Sequence, residues 1–388
     1  MTSVTPFDVQ VPDSALEDLH ARLERSRFPA PLPGDGWDTG VPVAYLRELV
    51  AHWRERFDWR AVEARLRQYP GFITEIDGTT IHFLHIRSVV DGATPLVLTH
   101  GWPGSILEFL DVIGPLTDPA AHGGDPGDAF HLVIPSLPGF GFSGPVPDPG
   151  WDAARIGRAW AELMERLGYD RYGVQGGDIG SAVSPEVGRA APDRVIGVHI
   201  NGGGFVRHQF TEEELAGLTD LERDRARRIG TFLREETGYI AIQATRPAAI
   251  GPALVDSPVG LLAWMVDKFK AWTWPVEALP DTVLGADRLL ANITLYWLTA
   301  TAESSAYVGY SQLGLGGPPP VSSGVPTGAI VFAHDRGIRK FLERSNNVTS
   351  WTDVEGRGGH FAALEEPELL VDHVREFFRP LRPAVSES

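Results

Sequence analysis

Cysteine is absent from the 388 residues of this chain. Its absence excludes disulfides, thiolate nucleophiles and cysteine-ligated zinc sites. Positive charge is also scarce, because 34 Lys and Arg stand against 51 Asp and Glu, giving a formal net charge of −17. This balance disfavours binding to nucleic acid or anionic membranes, and the sequence has no basic patch with interleaved aromatic residues. We therefore expect neither as a partner.

Long apolar segments are missing as well. No stretch approaches the roughly 18 apolar residues that a membrane-spanning helix needs. Residues 1–12 have no basic region followed by an apolar run, so we expect no signal peptide. These features favour a cytoplasmic protein. The apolar fraction of 43% and the charged fraction of 22% predict a packed core rather than disorder.

The middle of the chain alternates between predicted strands and helices. Short apolar runs predict buried strands at residues 95–99, 131–134, 171–175 and 195–200. Strand signals largely vanish between about 205 and 324, where helices are predicted at 212–236, 259–273 and 287–307, then return at 328–332 and 348–352. The pattern predicts an α/β fold with a mostly parallel sheet and a helical insertion.

An acidic residue occupies a sharp glycine-rich turn after the third of these strands. In Gln175-Gly-Gly-Asp-Ile-Gly-Ser181, Gly176 and Gly180 flank Asp178, which is the small-x-nucleophile-x-small pattern of the α/β-hydrolase elbow. The usual nucleophile there is Ser. A carboxylate that attacks an sp³ carbon gives an alkyl ester, which water then cleaves. The pattern predicts Asp178 as the nucleophile and favours epoxides or alkyl halides over esters or amides as substrates.

Two backbone N–H groups are predicted to form an oxyanion hole beside Asp178. The loop His100-Gly-Trp-Pro-Gly-Ser105 follows a buried strand, where an α/β-hydrolase places one donor, and the residue after the nucleophile supplies the other. We assign these donors to Trp102 and Ile179. They would stabilise the oxyanion that forms when water attacks the Asp178 ester.

The remaining members of a catalytic triad are expected after Asp178 in the chain. Gly358-Gly-His-Phe361 lies between the last predicted strand and the last predicted helix, which is the position of the base, so His360 is predicted to activate the hydrolytic water. Asp335 follows the preceding strand and is predicted to orient His360. Asp353 and Glu355 are nearer in sequence and remain alternatives.

Motifs along almost the whole chain resemble those of the microsomal-type epoxide hydrolases, in their soluble bacterial form. The resemblance is carried by Pro6-Phe-Asp-Val9, Phe28-Pro-Ala-Pro31, residues 59–87, His100-Gly-Trp-Pro103, residues 134–143, Gly176-Gly-Asp178, residues 238–243, residues 256–260, Leu295-Tyr-Trp297 and Gly358-Gly-His-Phe361. It implies an α/β-hydrolase fold with a mostly parallel sheet, a helical cap insertion and an N-terminal meander. The regions implied are an N-terminal wrap at 1–90, core at 91–204, cap at 205–325 and core again at 326–388.

The resemblance also implies two cap tyrosines that protonate the epoxide oxygen as the ring opens. Phenol donors aimed at a developing alkoxide act where charge appears in the transition state. Tyr239 matches the first tyrosine. The family places the second four residues after a Ser-Ser pair, which falls here on Gly309, so Tyr307 and Tyr310 are both candidates.

Two alternative functions share some of these features. A haloalkane dehalogenase shares the Asp elbow but typically binds halide through a Trp beside the nucleophile, and Ile179 removes that donor unless Trp102 or Trp264 replaces it. A non-catalytic, small-molecule-binding α/β-hydrolase would lack a triad member. His82 and His85 point to opposite faces of a predicted strand, so no metal or other cofactor is expected.

The expected partners are therefore a small-molecule epoxide and water. The aromatic residues Trp264, Phe269, Trp272 and Trp274 suggest an aryl or styrene-oxide-like substrate, although aromatic residues at helical spacing are also typical of a core. Detoxification and natural-product biosynthesis both fit such a reaction. A homodimer is left open by the sequence.

Overall fold

The computed structural model describes residues 3–34, 36–204, 210–313 and 320–382, except the side chains of residues 309, 310, 312 and 313. The strands are β1 Thr5–Phe7, β2 Gly71–Ile76, β3 Thr79–Ile86, β4 Thr94–Thr99, β5 Phe130–Pro135, β6 Tyr172–Gly176, β7 Val195–Asn201, β8 Pro326–Val331 and β9 Asn347–Asp353. They form one nine-stranded sheet in the order β1-β2-β3-β5-β4-β6-β7-β8-β9.

The sheet is antiparallel at one edge and parallel elsewhere. β1, β2, β3 and β5 pair antiparallel, whereas β5, β4, β6, β7, β8 and β9 run parallel. The parallel strands β6 and β7 are buried along their whole length, which explains why most of their side chains are apolar or small. This arrangement places the carboxyl ends of the parallel strands at one common edge, where loops carry functional groups in such sheets.

Helices cover both the sheet and one of its edges. Before β8 they are α1 Asp13–Glu24, α2 Val43–Glu55, α3 Trp59–Leu66, α4 Leu110–Thr117, α5 Ala153–Arg166, α6 Ile179–Ala190, α7 Glu212–Leu215, α8 Asp220–Glu235, α9 Gly238–Thr245, α10 Gly251–Asp256, α11 Pro258–Trp272, α12 Pro280–Leu284, α13 Ala286–Thr299 and α14 Ala302–Leu313. After β8 they are α15 Arg339–Leu342, α16 Ala362–Glu365 and α17 Pro367–Phe378. Helices α7–α14, between β7 and β8, form the cap.

The N-terminal segment is fixed to the fold by a buried carboxylate. Glu63 of α3 is 2% exposed and accepts hydrogen bonds from the Val11 backbone at 2.8 Å and the Trp59 indole at 3.1 Å. Arg60 donates to the same carboxylate and to the Val11 carbonyl. Removing the partners of a buried charge costs free energy. These contacts therefore favour one path of the N-terminal segment along the fold.

Several boundaries differ from the sequence predictions. The helix predicted over 212–236 is divided into α7 and α8, because Thr219 starts a new helix with a capping box to Glu222. The helix predicted over 287–307 is divided at Ala300, whose φ of 52° ends α13 in the left-handed region. β1 was not predicted, since three residues are too few to show alternation.

Candidate active site

The predicted nucleophile lies on a strained turn at the carboxyl edge of the sheet. Asp178 joins β6 to α6 with φ 51° and ψ −120°, a conformation that non-glycine residues rarely adopt. A Cβ on Gly180 would stand 2.0 Å from the Thr99 carbonyl oxygen, and one on Gly176 would stand 2.5 Å from Gly180. Only glycine at both flanks therefore allows the close approach of β4, β6 and α6 that exposes the Asp178 carboxylate.

Each oxygen of the Asp178 carboxylate faces a different group. The backbone N–H of Trp102 donates to Oδ1 at 2.8 Å. Oδ2 lies 3.3 Å from Nε2 of His360, and both side chains are mostly buried. Ile179 is the first residue of α6, whose N-terminal partial positive charge also favours an anion at this point. The structure thus brings Asp178, Trp102, Ile179 and His360 together.

The His360 loop is attached to the end of cap helix α11. The His360 backbone N–H donates to the Trp272 carbonyl at 3.0 Å, and the two rings lie 5.0 Å apart. A second attachment comes from Glu365, whose carboxylate accepts from the backbone N–H groups of Trp274 at 2.8 Å and Phe361 at 2.9 Å. Burial raises the pKa of Glu365 to about 7, against these hydrogen bonds, which lower it.

Asp335 follows β8 and lies in a cavity with the predicted base. Its side chain is 6% exposed, and its Oδ2 accepts from the Phe332 backbone N–H at 2.9 Å. Burial raises the pKa of Asp335, while the charge of His360 opposes that rise. Of the alternatives, Asp353 is exposed and binds Arg225, and Glu355 is exposed.

Tyr239 on cap helix α9 packs against Trp102, whose backbone binds the nucleophile. Its ring stacks on the ring of Trp102, with centroids 5.0 Å apart and planes 12° apart, and meets Trp272 edge-on at 5.4 Å. Trp102 therefore contacts Asp178 through its backbone and Tyr239 through its ring. The Lys268 ammonium lies 5.3 Å from the Tyr239 ring centroid and pairs with Glu236 at 2.8 Å.

The two candidates for the second tyrosine are both on α14. Tyr307 lines a cavity of about 570 Å³ together with Ser143, Val255 and Glu303, and that cavity does not include Asp178 or Tyr239. The side chain of Tyr310 lies outside the described residues. The role of a second tyrosine therefore stays a prediction.

Two cavities are each lined by both Asp178 and His360. The cap-side cavity, about 50 Å³, is lined by Asp178, His360, Asp335, Phe232, Trp272 and Arg336. The rear cavity, about 20 Å³, is lined by Asp178, His360, Gly104, Glu108, Ala363 and Leu370. A wider cleft of about 1440 Å³, the cap cleft, is lined on the cap by Tyr239, Trp264 and Lys268.

Glu108 and Glu365 were missed from the sequence. Each lies within eight residues of a motif that was identified, Glu108 after the His100 loop and Glu365 after His360. For Glu108 the signal is an acidic residue within the apolar stretch 106–110, because carboxylates are rarely buried without a partner. Glu365 has no such signal, since Glu366 and Glu368 are close to it in the sequence. Nothing in the local pattern shows which way such side chains point.

Two further properties of the described residues bear on function. They contain no helix long and apolar enough to cross a membrane. They also contain no group of three or more His, Asp or Glu arranged to hold a metal ion.

Comparison with known protein families gives two matches. The model described as epoxide hydrolase N terminus matches residues 4–109, and the model described as alpha/beta hydrolase fold matches residues 94–228. The predicted fold class is confirmed by the second match and by the sheet order described above.

Individual relatives extend the similarity over nearly the whole chain. A protein of Stigmatella aurantiaca whose name assigns it to the epoxide hydrolases is 43% identical, covering 98% of this chain and 86% of its own length. Epoxide hydrolase 1 of Sus scrofa is 35% identical, covering 97% and 88%. The crystal structure of juvenile hormone epoxide hydrolase from the silkworm Bombyx mori superposes with a TM-score of 0.87 at 30% identity, covering 98% and 95%.

Proposed function

Because this chain belongs to the microsomal-type epoxide hydrolases, we propose that it converts an epoxide to a vicinal diol in two steps centred on Asp178. One observation carries the proposal. The two oxygens of the Asp178 carboxylate have different partners. Oδ1 accepts a hydrogen bond from the Trp102 N–H at 2.8 Å, and Oδ2 lies 3.3 Å from His360 Nε2. One oxygen is thus held in an oxyanion hole while the other is available to attack.

In the first step Oδ2 of Asp178 attacks a ring carbon of the epoxide. The carbon–oxygen bond of the ring breaks, and the Tyr239 phenol gives its proton to the departing oxygen. An alkyl ester of Asp178 and a phenolate result. The stacking of Tyr239 on Trp102 supports this role, because the backbone of Trp102 binds the Asp178 carboxylate and its ring fixes the position of the phenol. The second phenol donor is assigned to Tyr307 or Tyr310.

In the second step water attacks Cγ of the ester while His360 accepts its proton. The N–H groups of Trp102 and Ile179 stabilise the oxyanion. Collapse breaks the acyl–oxygen bond, and the new carboxylic acid gives its proton to the departing alkoxide. The proton on His360 then restores the Tyr239 phenol, so atoms and charges balance. Asp335 orients His360 and stabilises its charged form.

We propose an aryl-substituted, styrene-oxide-like epoxide as the substrate class. The support is the cap cleft, which is wide and places Trp264 and Leu254 beside Tyr239, although charged residues such as Lys268 and Glu236 also line it. Detoxification, natural-product biosynthesis, a cytoplasmic location and a homodimer remain predictions from the sequence.

The experiment that tests this function is incubation of the purified protein with racemic styrene oxide, followed by measurement of diol. The wild type should form diol, whereas Asp178→Ala should not and His360→Gln should accumulate the alkyl-enzyme. Asp193→Asn, at an exposed position after α6, is the matched control and should retain full activity. Release of halide from alkyl halides without diol formation would instead favour a dehalogenase.

A further inference from the structure

We propose that Glu108 holds the hydrolytic water in the rear cavity, against the face of Asp178 that the epoxide does not occupy. This assignment rests on the proposed function and adds a residue to its second step. Glu108 lies in a 3₁₀ turn at Ile106–Phe109, immediately after the loop that carries Trp102. It is a positioning residue, because it acts on the water and not on the substrate.

The size of the rear cavity fits one water molecule. About 20 Å³ exceeds the roughly 10–15 Å³ that a single buried water needs, and leaves no room for an epoxide. The same cavity touches both Asp178 and His360. A water there is therefore next to the ester carbon that it must attack and the base that must accept its proton.

The two cavities share Asp178, Asn201 and His360 and otherwise have different linings, so they can hold different reactants. The cap-side cavity lies under the cap, with Phe232 and Trp272 in its wall. The rear cavity is lined by core residues, including Gly104, Ala363 and Leu370. An alkyl group attached to Asp178 from the cap side leaves the rear cavity unobstructed, so the water can remain in place during alkylation.

Besides Asp178, His360 and Asn201, the rear cavity is lined by the Glu108 carboxyl group, which can bind such a water. Within the described part of the chain, no residue donates a hydrogen bond to this carboxyl group. Burial and, second, the nearby Asp178 carboxylate raise the pKa of Glu108 well above its usual value. The neutral acid can both donate to and accept from a water, which normally makes two to four hydrogen bonds when buried.

Gly104 leaves the space that Glu108 occupies. A Cβ at position 104 would stand 2.7 Å from Glu108 Oε2, which is closer than real Cβ contacts. The Gly104 carbonyl is itself held by the hydroxyl of Tyr296 at 2.7 Å, so the backbone there cannot easily withdraw. A side chain at position 104 should therefore displace the Glu108 carboxyl group from the rear cavity.

The proposal predicts that Glu108 affects ester hydrolysis and not alkylation. We would measure both steps with styrene oxide by rapid mixing, following alkyl-enzyme formation and decay by mass spectrometry of quenched samples. Glu108→Leu should slow decay at least about ten-fold and leave formation within about three-fold of wild type. Glu108→Gln, a neutral group that donates and accepts, should restore decay to within about three-fold of wild type.

Two further variants keep the test independent of folding defects. Gly104→Ala should slow decay as Glu108→Leu does. Asp111→Asn, in α4 and paired with Arg65 and Arg288 outside the rear cavity, is the matched control and should change neither step.

Three outcomes would overturn the assignment: decay unchanged in Glu108→Leu, formation slowed as much as decay, or equal loss in the Gln and Leu variants. Failure of the wild type to form any alkyl-enzyme would instead contradict the proposed function itself, which separates the two failures.

Discussion

The core half and the cap half of the site are held in different ways. In the core, Asp178 is fixed by a strained backbone turn and by a hydrogen bond from the Trp102 N–H. In the cap, Tyr239 is held by ring contacts with Trp102 and Trp272, on a helix of eight residues. Backbone constraints leave a signature in the sequence, whereas ring packing between distant segments does not. The core half should therefore tolerate less change than the cap half.

The largest difference in stability is expected between alanine substitutions at two glycines, one in each half. Gly180→Ala would place a Cβ 2.0 Å from a backbone oxygen, so we expect a loss of about 3 kcal/mol or more in unfolding free energy and loss of activity. Gly230→Ala, in cap helix α8, would meet only the flexible end of Arg234 at 3.5 Å and should stabilise by up to about 1 kcal/mol. Denaturant unfolding measures both, and similar effects at the two sites would contradict the comparison.

The contact between the two halves should depend on pH through Glu365. Its pKa is raised from 4.5 to about 7, so the folded state binds more protons than the unfolded state between those values. The stabilising contribution is therefore full below about pH 4.5 and decreases as pH rises to 7, by between about 2 and 3 kcal/mol. Comparison with Glu365→Gln across pH 4–8 isolates this contribution. If the difference in unfolding free energy between wild type and Glu365→Gln is constant over that range, Glu365 does not titrate as described.

Removal of the Tyr239 hydroxyl should affect only ring opening. Tyr239→Phe keeps the ring contacts with Trp102 and Trp272, so the fold should be unchanged. We expect alkyl-enzyme formation to slow about ten- to a hundred-fold and its hydrolysis to change less than three-fold. Rapid-mixing kinetics with styrene oxide would show this, and a slowed hydrolysis step would place Tyr239 in a different role.

The smallest effect on the alkylation rate is expected from substitution of Tyr307. Because Tyr307 lines a cavity separate from Asp178 and Tyr239, Tyr307→Phe should leave alkylation within about three-fold of wild type. Tyr310→Phe is the paired variant, and it should slow alkylation if it supplies the second phenol. A large effect of Tyr307→Phe alone would identify Tyr307 as the second phenol donor.

The same difference between core and cap applies to how much of the molecule could be predicted from its sequence. The buried strands and the elbow were predicted because apolar runs and flanking glycines reflect local sterics. The predicted strand at 171–175, for example, is β6 Tyr172–Gly176. The position of Asp335 could be predicted for a related reason, because it directly follows a buried strand.

The remaining parts depend on contacts between distant residues. The break at Ala300 has no glycine to mark it, and the direction of Glu108 is determined by Gly104 and by the packing around it. The second tyrosine depends on where α14 packs against α9. Spacing within one helix does not carry that information.

The most direct test of the central claim is one turnover in H₂¹⁸O with enzyme in excess over styrene oxide. If Asp178 is the nucleophile, the first diol takes its new oxygen from the carboxylate and carries no label, while the peptide containing Asp178 gains one ¹⁸O atom. Label in the diol and none in Asp178 would mean that water attacks the epoxide directly, and would contradict the account.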